Sequence, residues 1–219
     1  MSIRYDTSVE AEREEGIAAA AKAAQDGRLV MLPTDTVYGV GADAFNAQAV
    51  QLLLSAKGRD RQMPPPVLVS AKTTLEALAS GVPDWAHGLV EEFWPGPLTL
   101  VVRQQPSLQW DLGETRGTVA VRMPDHDVAL ELLARTGPLA VSSANRTGLP
   151  AATDAEDAED MLGEHVRVLL DAGPTPGPVP STILDCTGDQ PRVLRAGALA
   201  KDKLDEALAA FDTGIVGDE

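Results

Sequence analysis

The chain has 219 residues, 44% of them hydrophobic and only 4% aromatic, which provides for one large domain, or at most two small ones, with a core of Ala, Val and Leu rather than rings. Its 33 acidic residues outweigh 18 basic ones for a formal net charge of −15, a field that repels polyanions and leaves no footprint for broad nucleic-acid binding. No run approaches the ~20 apolar residues that cross a bilayer, and an opening with Arg4, Asp6 and Glu10 is not an export signal, so a cytoplasmic protein is expected.

Ser8, the acidic run Glu10, Glu12, Glu14 and Glu15, and an Ala-rich stretch ending at Gly27 combine an N-cap, negative charge at the positive helix end and a terminal glycine; they predict a helix. Leu29 to Leu32 is a short apolar run stopped by Pro33, the pattern of a buried strand. A second helix is expected from Asn46 to Lys57, closed by Gly58, and then a strand from Val67 to Val69, entered stiffly through Pro64, Pro65 and Pro66. Further helices are expected at Thr74 to Ala79, Asp84 to Phe93, Asp125 to Arg135, Asp154 to Leu162 and Ala200 to Phe211. Strands are expected at Leu98 to Val102, Val119 to Val121, Leu139 to Val141, Val166 to Leu170, Thr182 to Leu184 and Val193 to Leu194.

This alternation predicts an α/β (α+β) fold, a layered domain over residues 8–211 with an acidic tail at 212–219. The turn from Asp111 to Gly117 suits an antiparallel hairpin, so the expected sheet is twisted, mixed parallel and antiparallel, and flanked by helices. Gly173 to Pro180, with two glycines and four prolines, is a loop stiff enough to be shaped for a purpose.

Several of these strands run into polar residues. Leu32 leads to Thr34, Asp35 and Thr36, Val121 to Arg122, Val141 to Ser142, Ser143 and Asn145, and Pro180 to Ser181 and Thr182. Each alone reads as a turn or cap, but strand ends of α/β sheets are also where ligands gather. Lys57, Arg59 and Arg61 at a helix end, with Arg122 at the end of a buried strand, call for a phosphate or carboxylate in so acidic a chain. Arg61 reads equally as a loop surface charge. Neither a Walker A sequence nor a Gly-x-Gly-x-x-Gly fingerprint is present, so a nucleotide would bind by some other means. His87, His126 and His165 lie in or beside expected helices with acidic neighbours, which suits solvated or structural roles. The lone cysteine, Cys186, excludes an internal disulfide and is expected to be a buried spectator.

Seven segments occur in order: Pro-Thr-Asp-Thr-Val-Tyr-Gly-Val-Gly (33–41), Lys-Gly-Arg (57–59), Trp-Pro-Gly-Pro-Leu-Thr (94–99), Val-Ala-Val-Arg-Met-Pro (119–124), Ser-Ser-Ala-Asn (142–145), Pro-Ser-Thr-Ile (180–183) and Arg-Val-Leu-Arg-Ala-Gly (192–197). From Leu29 to Gly197 the chain thereby resembles the threonylcarbamoyl-AMP synthases built on the YrdC-type domain. The resemblance implies a YrdC-like fold and a nucleotidyltransferase that carboxylates the amine of L-threonine with bicarbonate and couples the carbamate to the α-phosphate of ATP. The product would pass to a tRNA threonylcarbamoyl transferase complex, without stable direct binding of tRNA by this chain.

Carried over residue by residue, the resemblance implies a catalytic set of Lys57, Arg59, Ser143 and Asn145. Thr36, Arg122, Ser143 and Ser181 would hold threonine, and Lys57, Arg59, Thr118, Asn145, Thr153 and Arg195 would hold ATP. Mg2+ is expected with the ATP, and no protein ligands for it stand out. The stretch from Asp60 to Ser70 departs from the family pattern, which often has Pro after the Arg, then Asn-Pro and a His at the next strand end. With only 198–219 beyond the last motif, the single-domain form is expected. Two other readings remain open: an RNA-binding module of the same fold, disfavoured by the charge, and a carbamoyltransferase using another donor, known within longer chains bearing zinc fingers.

Overall fold

The computed structural model describes residues 2–216. Among them, ten strands form one sheet: β1 (Ile3–Asp6), β2 (Leu29–Leu32), β3 (Gly39–Asp43), β4 (Val67–Leu68), β5 (Leu98–Arg103), β6 (Thr118–Arg122), β7 (Leu139–Ser143), β8 (Val166–Asp171), β9 (Thr182–Asp185) and β10 (Arg192–Arg195). Seven α-helices flank it: α1 (Glu10–Gln25), α2 (Ala47–Ala56), α3 (Thr74–Leu78), α4 (Asp84–Phe93), α5 (Asp127–Thr136), α6 (Ala155–Leu162) and α7 (Lys201–Leu208). The strand order is β1-β8-β2-β3-β7-β4-β6-β5-β9-β10. β1 and β2 run parallel to β8, β4 to β6 and β5 to β9, while the remaining neighbours are antiparallel. The mixed sheet expected from the chain order is therefore present.

Two cores sandwich the sheet unequally. On one face Met31, Val40, Val67, Leu100, Val121 and Leu184 are buried with Leu53 of α2, Leu75 of α3, Leu89 of α4 and Leu204 of α7. On the other, Val30, Leu32, Leu68, Val141, Val168 and Leu170 are buried under Ile17 of α1 and Leu132 of α5. This second core draws on no residue of β6, β5, β9 or β10. Residues opposite one another in a ladder share a face. Arg122 lies opposite Leu68, so it stands where helical cover ends. Beyond it the same face continues through Ala120 opposite Val101, Thr118 opposite Arg103, and Ile183 opposite Thr99. Val101, Thr118, Ala120 and Ile183 are only partly buried, which makes this half of the sheet an open floor.

The structure corrects several expectations. The sheet begins at Ile3, not after residue 8, because β1 pairs along β8 from Ile3 opposite Val168 to Asp6 opposite Asp171. Helix α1 starts at Glu10 after Val9 with no side-chain cap. Ser8 instead turns to the Asp6 carboxylate, its amide at 2.9 Å and its hydroxyl at 2.6 Å. β3 starts within the 33–41 motif and runs on to Asp43, where no strand was expected. Of the expected tail, Ile215 and Val216 are tied back through their amides to Asp205 and Pro191, while 217–219 lie outside the described residues. Among the described residues no helix is long and apolar enough to cross a membrane.

The docking of β1 depends on Gly16 of α1, where a Cβ would lie 2.7 Å from Tyr5 Cβ and 3.1 Å from Leu170. Gly16→Val is therefore expected to destabilise the fold by about 1–3 kcal/mol through overpacking. A lowered Tm together with faster amide exchange over residues 3–6 checks this; an unchanged Tm would mean that α1 does not press on the strand.

Candidate active site

The site is built at strand ends around the open floor. After β2 the chain makes a tight turn held by Thr34, whose Oγ1 accepts from the amides of Thr36 and Val37, both at 3.2 Å, and donates to the Val37 carbonyl at 2.6 Å. A hydroxyl has one proton, so in the 3.0 Å contact between Thr34 Oγ1 and Thr36 Oγ1 it is Thr36 that donates. Thr36 Oγ1 then accepts from Arg122 Nη1 at 3.0 Å.

Arg122 ends β6 and is only 6% exposed. Its Nε donates to the Gly96 carbonyl at 3.0 Å and its Nη2 to Asp35 Oδ1 at 2.5 Å. The same Asp35 oxygen accepts from the Asp125 amide at 3.1 Å. Three of the five guanidinium N–H groups are thus used and two remain for a ligand. Burial lowers the proton affinity of Arg122, Asp35 opposes that, and nearby Arg195 adds to it.

Lys57 caps the C-terminal end of α2 and is 2% exposed. Its ammonium donates to the Ser143 carbonyl, to Ser143 Oγ at 3.4 Å and to Asn145 Oδ1 at 3.0 Å. The three N–H groups are all committed. Asn145 is equally occupied: Oδ1 also accepts from Ser143 Oγ at 2.6 Å, and Nδ2 donates to the carbonyls of Arg146 (3.1 Å) and Leu149 (2.7 Å). Lys57 and Asn145 therefore shape the β7 end and Ser143 from beneath, and Lys57 offers no free donor to a ligand. Burial, and next the charge of Arg59, bring the Lys57 amine down to about 7.

Arg59 and Arg195 stand on the crevice side. Arg59 Nη1 donates to Ser142 Oγ at 3.1 Å and its Nε to Thr147 Oγ1 at 3.4 Å. Arg195 grips Ser181 through Nε and Nη2 to the carbonyl (3.2 and 2.6 Å) and Nη2 to Oγ (3.2 Å), and Ser181 Oγ in turn meets Thr99 Oγ1 at 2.8 Å. The approach of β10 to this segment requires Gly197, where a Cβ would lie 2.4 Å from backbone atoms of residues 180–182. Lys57 feels Arg59, Arg195 feels Arg59, and Arg122 feels Arg195. Four cations thus form a continuous positive run, and burial lowers the proton affinity of Arg59 and Arg195 as well.

The strand-end set Thr36, Lys57, Arg59, Arg122, Ser143, Asn145, Ser181 and Arg195 comes together. Thr118 does not join it: it is the first residue of β6 and Arg122 the last, about 13 Å away along the strand, with its Oγ1 on the Thr115 carbonyl at 2.8 Å. It shares the open face with Arg122. Thr153 follows Ala152, whose carbonyl accepts from the Tyr38 amide at 3.0 Å. Its own carbonyl holds Thr175 of the proline-rich loop, at 2.7 Å from the amide and 3.1 Å from Oγ1.

Arg61 turns away to Asp111 at 2.7 Å, so the surface-charge reading is the one seen. Thr99 is a participant that sequence reasoning did not single out, and Asp35 and Ser142, named among the polar strand-end residues, were given no role there. Cys186 is buried and its thiol is pushed up by burial. His87 and His165 sit beside Glu76 and Glu164 at 3.3 and 3.4 Å. His126 is half-buried, burial lowers its proton affinity, and its Nδ1 is a buried atom with no hydrogen-bond partner. No group of three or more His, Cys, Asp or Glu suited to a metal occurs among the described residues.

Residues 22–197 match the Sua5/YciO/YrdC family, described as "Telomere recombination". A Mycobacterium tuberculosis (strain H37Rv) protein, provisionally named a threonylcarbamoyl-AMP synthase, is 52% identical over 217 residues, covering 99% of this chain and 100% of the relative. The Bacillus subtilis (strain 168) threonylcarbamoyl-AMP synthase is 39% identical over 203 residues, covering 91% of this chain and 59% of the relative. Among solved structures, P. abyssi Sua5 complexed with L-threonine superposes with a TM-score of 0.89 at 34% identity, covering 99% of this chain; the chain spans 62% of that structure.

The Lys57 environment has a measurable consequence. An unfolded lysine titrates near ~10.4, and the folded one is brought to about 7. Between those values the unfolded chain holds the extra proton, so this residue makes stability rise with pH across that window and leaves it flat below. Lys57→Met is expected to lose that rise, seen as the difference between the two proteins' denaturation midpoints from pH 7 to 10. Parallel curves would place the amine in contact with solvent.

Proposed function

The chain belongs to the Sua5/YciO/YrdC family, and on that premise we propose that it is an L-threonylcarbamoyladenylate synthase, forming threonylcarbamoyl-AMP and pyrophosphate from L-threonine, bicarbonate and ATP. The observation that carries this reading is the run of four cations beside small hydroxyls at strand ends, with two free N–H groups on a buried arginine. A triphosphate and an amino-acid carboxylate are the anions such a run suits in a chain of charge −15. The names of the relatives and the threonine complex of P. abyssi Sua5 support the same substrate.

In this reading the threonine ammonium first gives up a proton to solvent, and the resulting amine attacks bicarbonate carbon as water leaves, giving a carbamate. A carbamate oxygen then attacks the α-phosphorus of ATP, and the bond to the β-phosphate oxygen breaks as pyrophosphate departs. Arg122 clamps the carboxylate with its remaining N–H groups while Thr36, Ser143 and Ser181 surround the amino acid. Arg59 and Arg195 meet the phosphates and stabilise the charge that builds on the leaving pyrophosphate. Lys57 and Asn145 hold Ser143 in place, and Lys57 adds positive charge from beneath when protonated. The nucleotide extends along the open floor toward Thr118, whose distance from Arg122 suits its length, with Thr153 at the rim.

Mg2+ would enter with the nucleotide substrate and offset part of its phosphate charge, and no side-chain ligands are assigned to it. The product is handed to a transferase that modifies tRNA, in the cytoplasm where ATP is made available. Direct tRNA binding is not part of the proposal, given the charge.

Pure protein incubated with labelled bicarbonate, L-threonine, ATP and Mg2+ is expected to release pyrophosphate only when threonine is present; folded protein that releases none refutes the assignment. Arg122→Ala is expected to raise the threonine KM by about 10- to 100-fold, the worth of a lost charge-assisted clamp, with a far smaller change in the ATP KM. Equal effects on both would remove Arg122 from the threonine subsite.

A further inference from the structure

The acidic side of the site is the Asp35 carboxylate. Asp35 is bonded to one of the four cations of the crevice, yet only through Oδ1, which takes both Arg122 Nη2 at 2.5 Å and the Asp125 amide at 3.1 Å. No described hydrogen bond reaches its Oδ2. The side chain is 13% exposed, too enclosed to be fully solvated and open enough to be reached. A carboxylate oxygen in such a setting has acceptor capacity to spare.

An amino-acid substrate arrives as a zwitterion, with ammonium and carboxylate on adjacent atoms. A run of cations suits one half of that ligand and repels the other. The Arg122–Asp35 pair presents the opposite arrangement, positive and negative groups 2.5 Å apart, so a zwitterion laid antiparallel to it meets an opposite charge at both ends. Of the other carboxylates, Asp185 holds Arg192 at 3.0 Å and Thr187 Oγ1 at 2.7 Å, whereas Asp125, whose amide binds Asp35, has an exposed side chain with no described hydrogen bond.

We infer that Asp35, through Oδ2, is the acceptor for the α-ammonium of the amino-acid substrate, so that the Arg122–Asp35 pair recognises α-amino acids as zwitterions and rejects carboxylates that lack the amine. This rests on the proposed function for the identity of the amino acid. It makes Asp35 a specificity-determining contact as well as the anchor of Arg122, and those two roles separate by experiment.

The test compares L-threonine with (R)-3-hydroxybutanoate, the same molecule without its amine, by calorimetric titration of the whole protein. The wild type is expected to prefer threonine by about 10- to 100-fold, the range of one charge-assisted hydrogen bond. In Asp35→Asn, which keeps an oxygen for the Arg122 and Asp125 donors, that preference is expected to fall to about 3-fold or less because threonine loses more affinity than hydroxybutanoate. Equal weakening of both ligands would show that Asp35 only positions Arg122 and would overturn the inference. Wild-type protein that binds no threonine would instead refute the proposed function, and the inference with it. If Asp35→Asn does not melt cooperatively, Asp35→Ser takes its place with the same two outcomes.

Discussion

One constraint organises this molecule: helices cover one face of a ten-stranded sheet from β8 to β9 but the other face only as far as β4. The second core under α1 and α5 stops at β4, and the next strand along, β6, ends in Arg122. Burial on one side and openness on the other put that arginine at a boundary, desolvated enough for its charge to matter and close enough to the crevice to be used. Thr36 bonds to Arg122 at that boundary, and the edge strand brings Arg195, bonded to Ser181, close enough for Arg122 to feel its charge.

Much of this arrangement was legible in the chain because its signals are local. Apolar runs such as Leu29 to Leu32 and Leu98 to Val102 announced buried strands, and Gly58 and Gly163 announced helix ends. The strands that were missed lacked those signals. β3 contains Gly39 and Gly41, which dilute an apolar pattern, and its membership is decided by pairing with β7 and β2. β1 has one half-buried residue among exposed neighbours, and only pairing with β8 identifies it. The Ser8 cap failed because Asp6, two residues earlier, draws in the Ser8 amide and hydroxyl as donors, and the helix begins only after Val9.

The site shows the same division. Motif positions found the residues that assemble, but not which of them face a ligand. Lys57 and Arg59 are two residues apart in one motif, yet Lys57 has its donors satisfied within the protein and Arg59 lies at the crevice. Nothing in the spacing distinguishes them; the difference comes from the end of α2, which directs one side chain under β7 and leaves the next free to turn outward. Thr118 is the converse case, a residue on the right face at the wrong end of its strand for the cation run. Such distinctions depend on register and on which neighbour claims each hydrogen bond, and both are tertiary facts.

The burial of Lys57 also bears on how the crevice holds charge without collapsing onto it. Four adjacent cations repel one another, and the chain could relieve that repulsion by moving their side chains into solvent. Here Ser142, Ser181, Gly96 and the Ser143–Asn145 pair hold them by neutral acceptors, and only Arg122 has a carboxylate partner. Neutral acceptors fix position without cancelling charge, so the positive field is available to an arriving anion, whereas a carboxylate on each cation would have quenched it. Burial lowers the proton affinities of Lys57, Arg59 and Arg195, and the charge of Arg59 adds to it at Lys57 and Arg195. A bound polyanion would reverse it, since every negative charge brought into the crevice favours the protonated form of each cation around it.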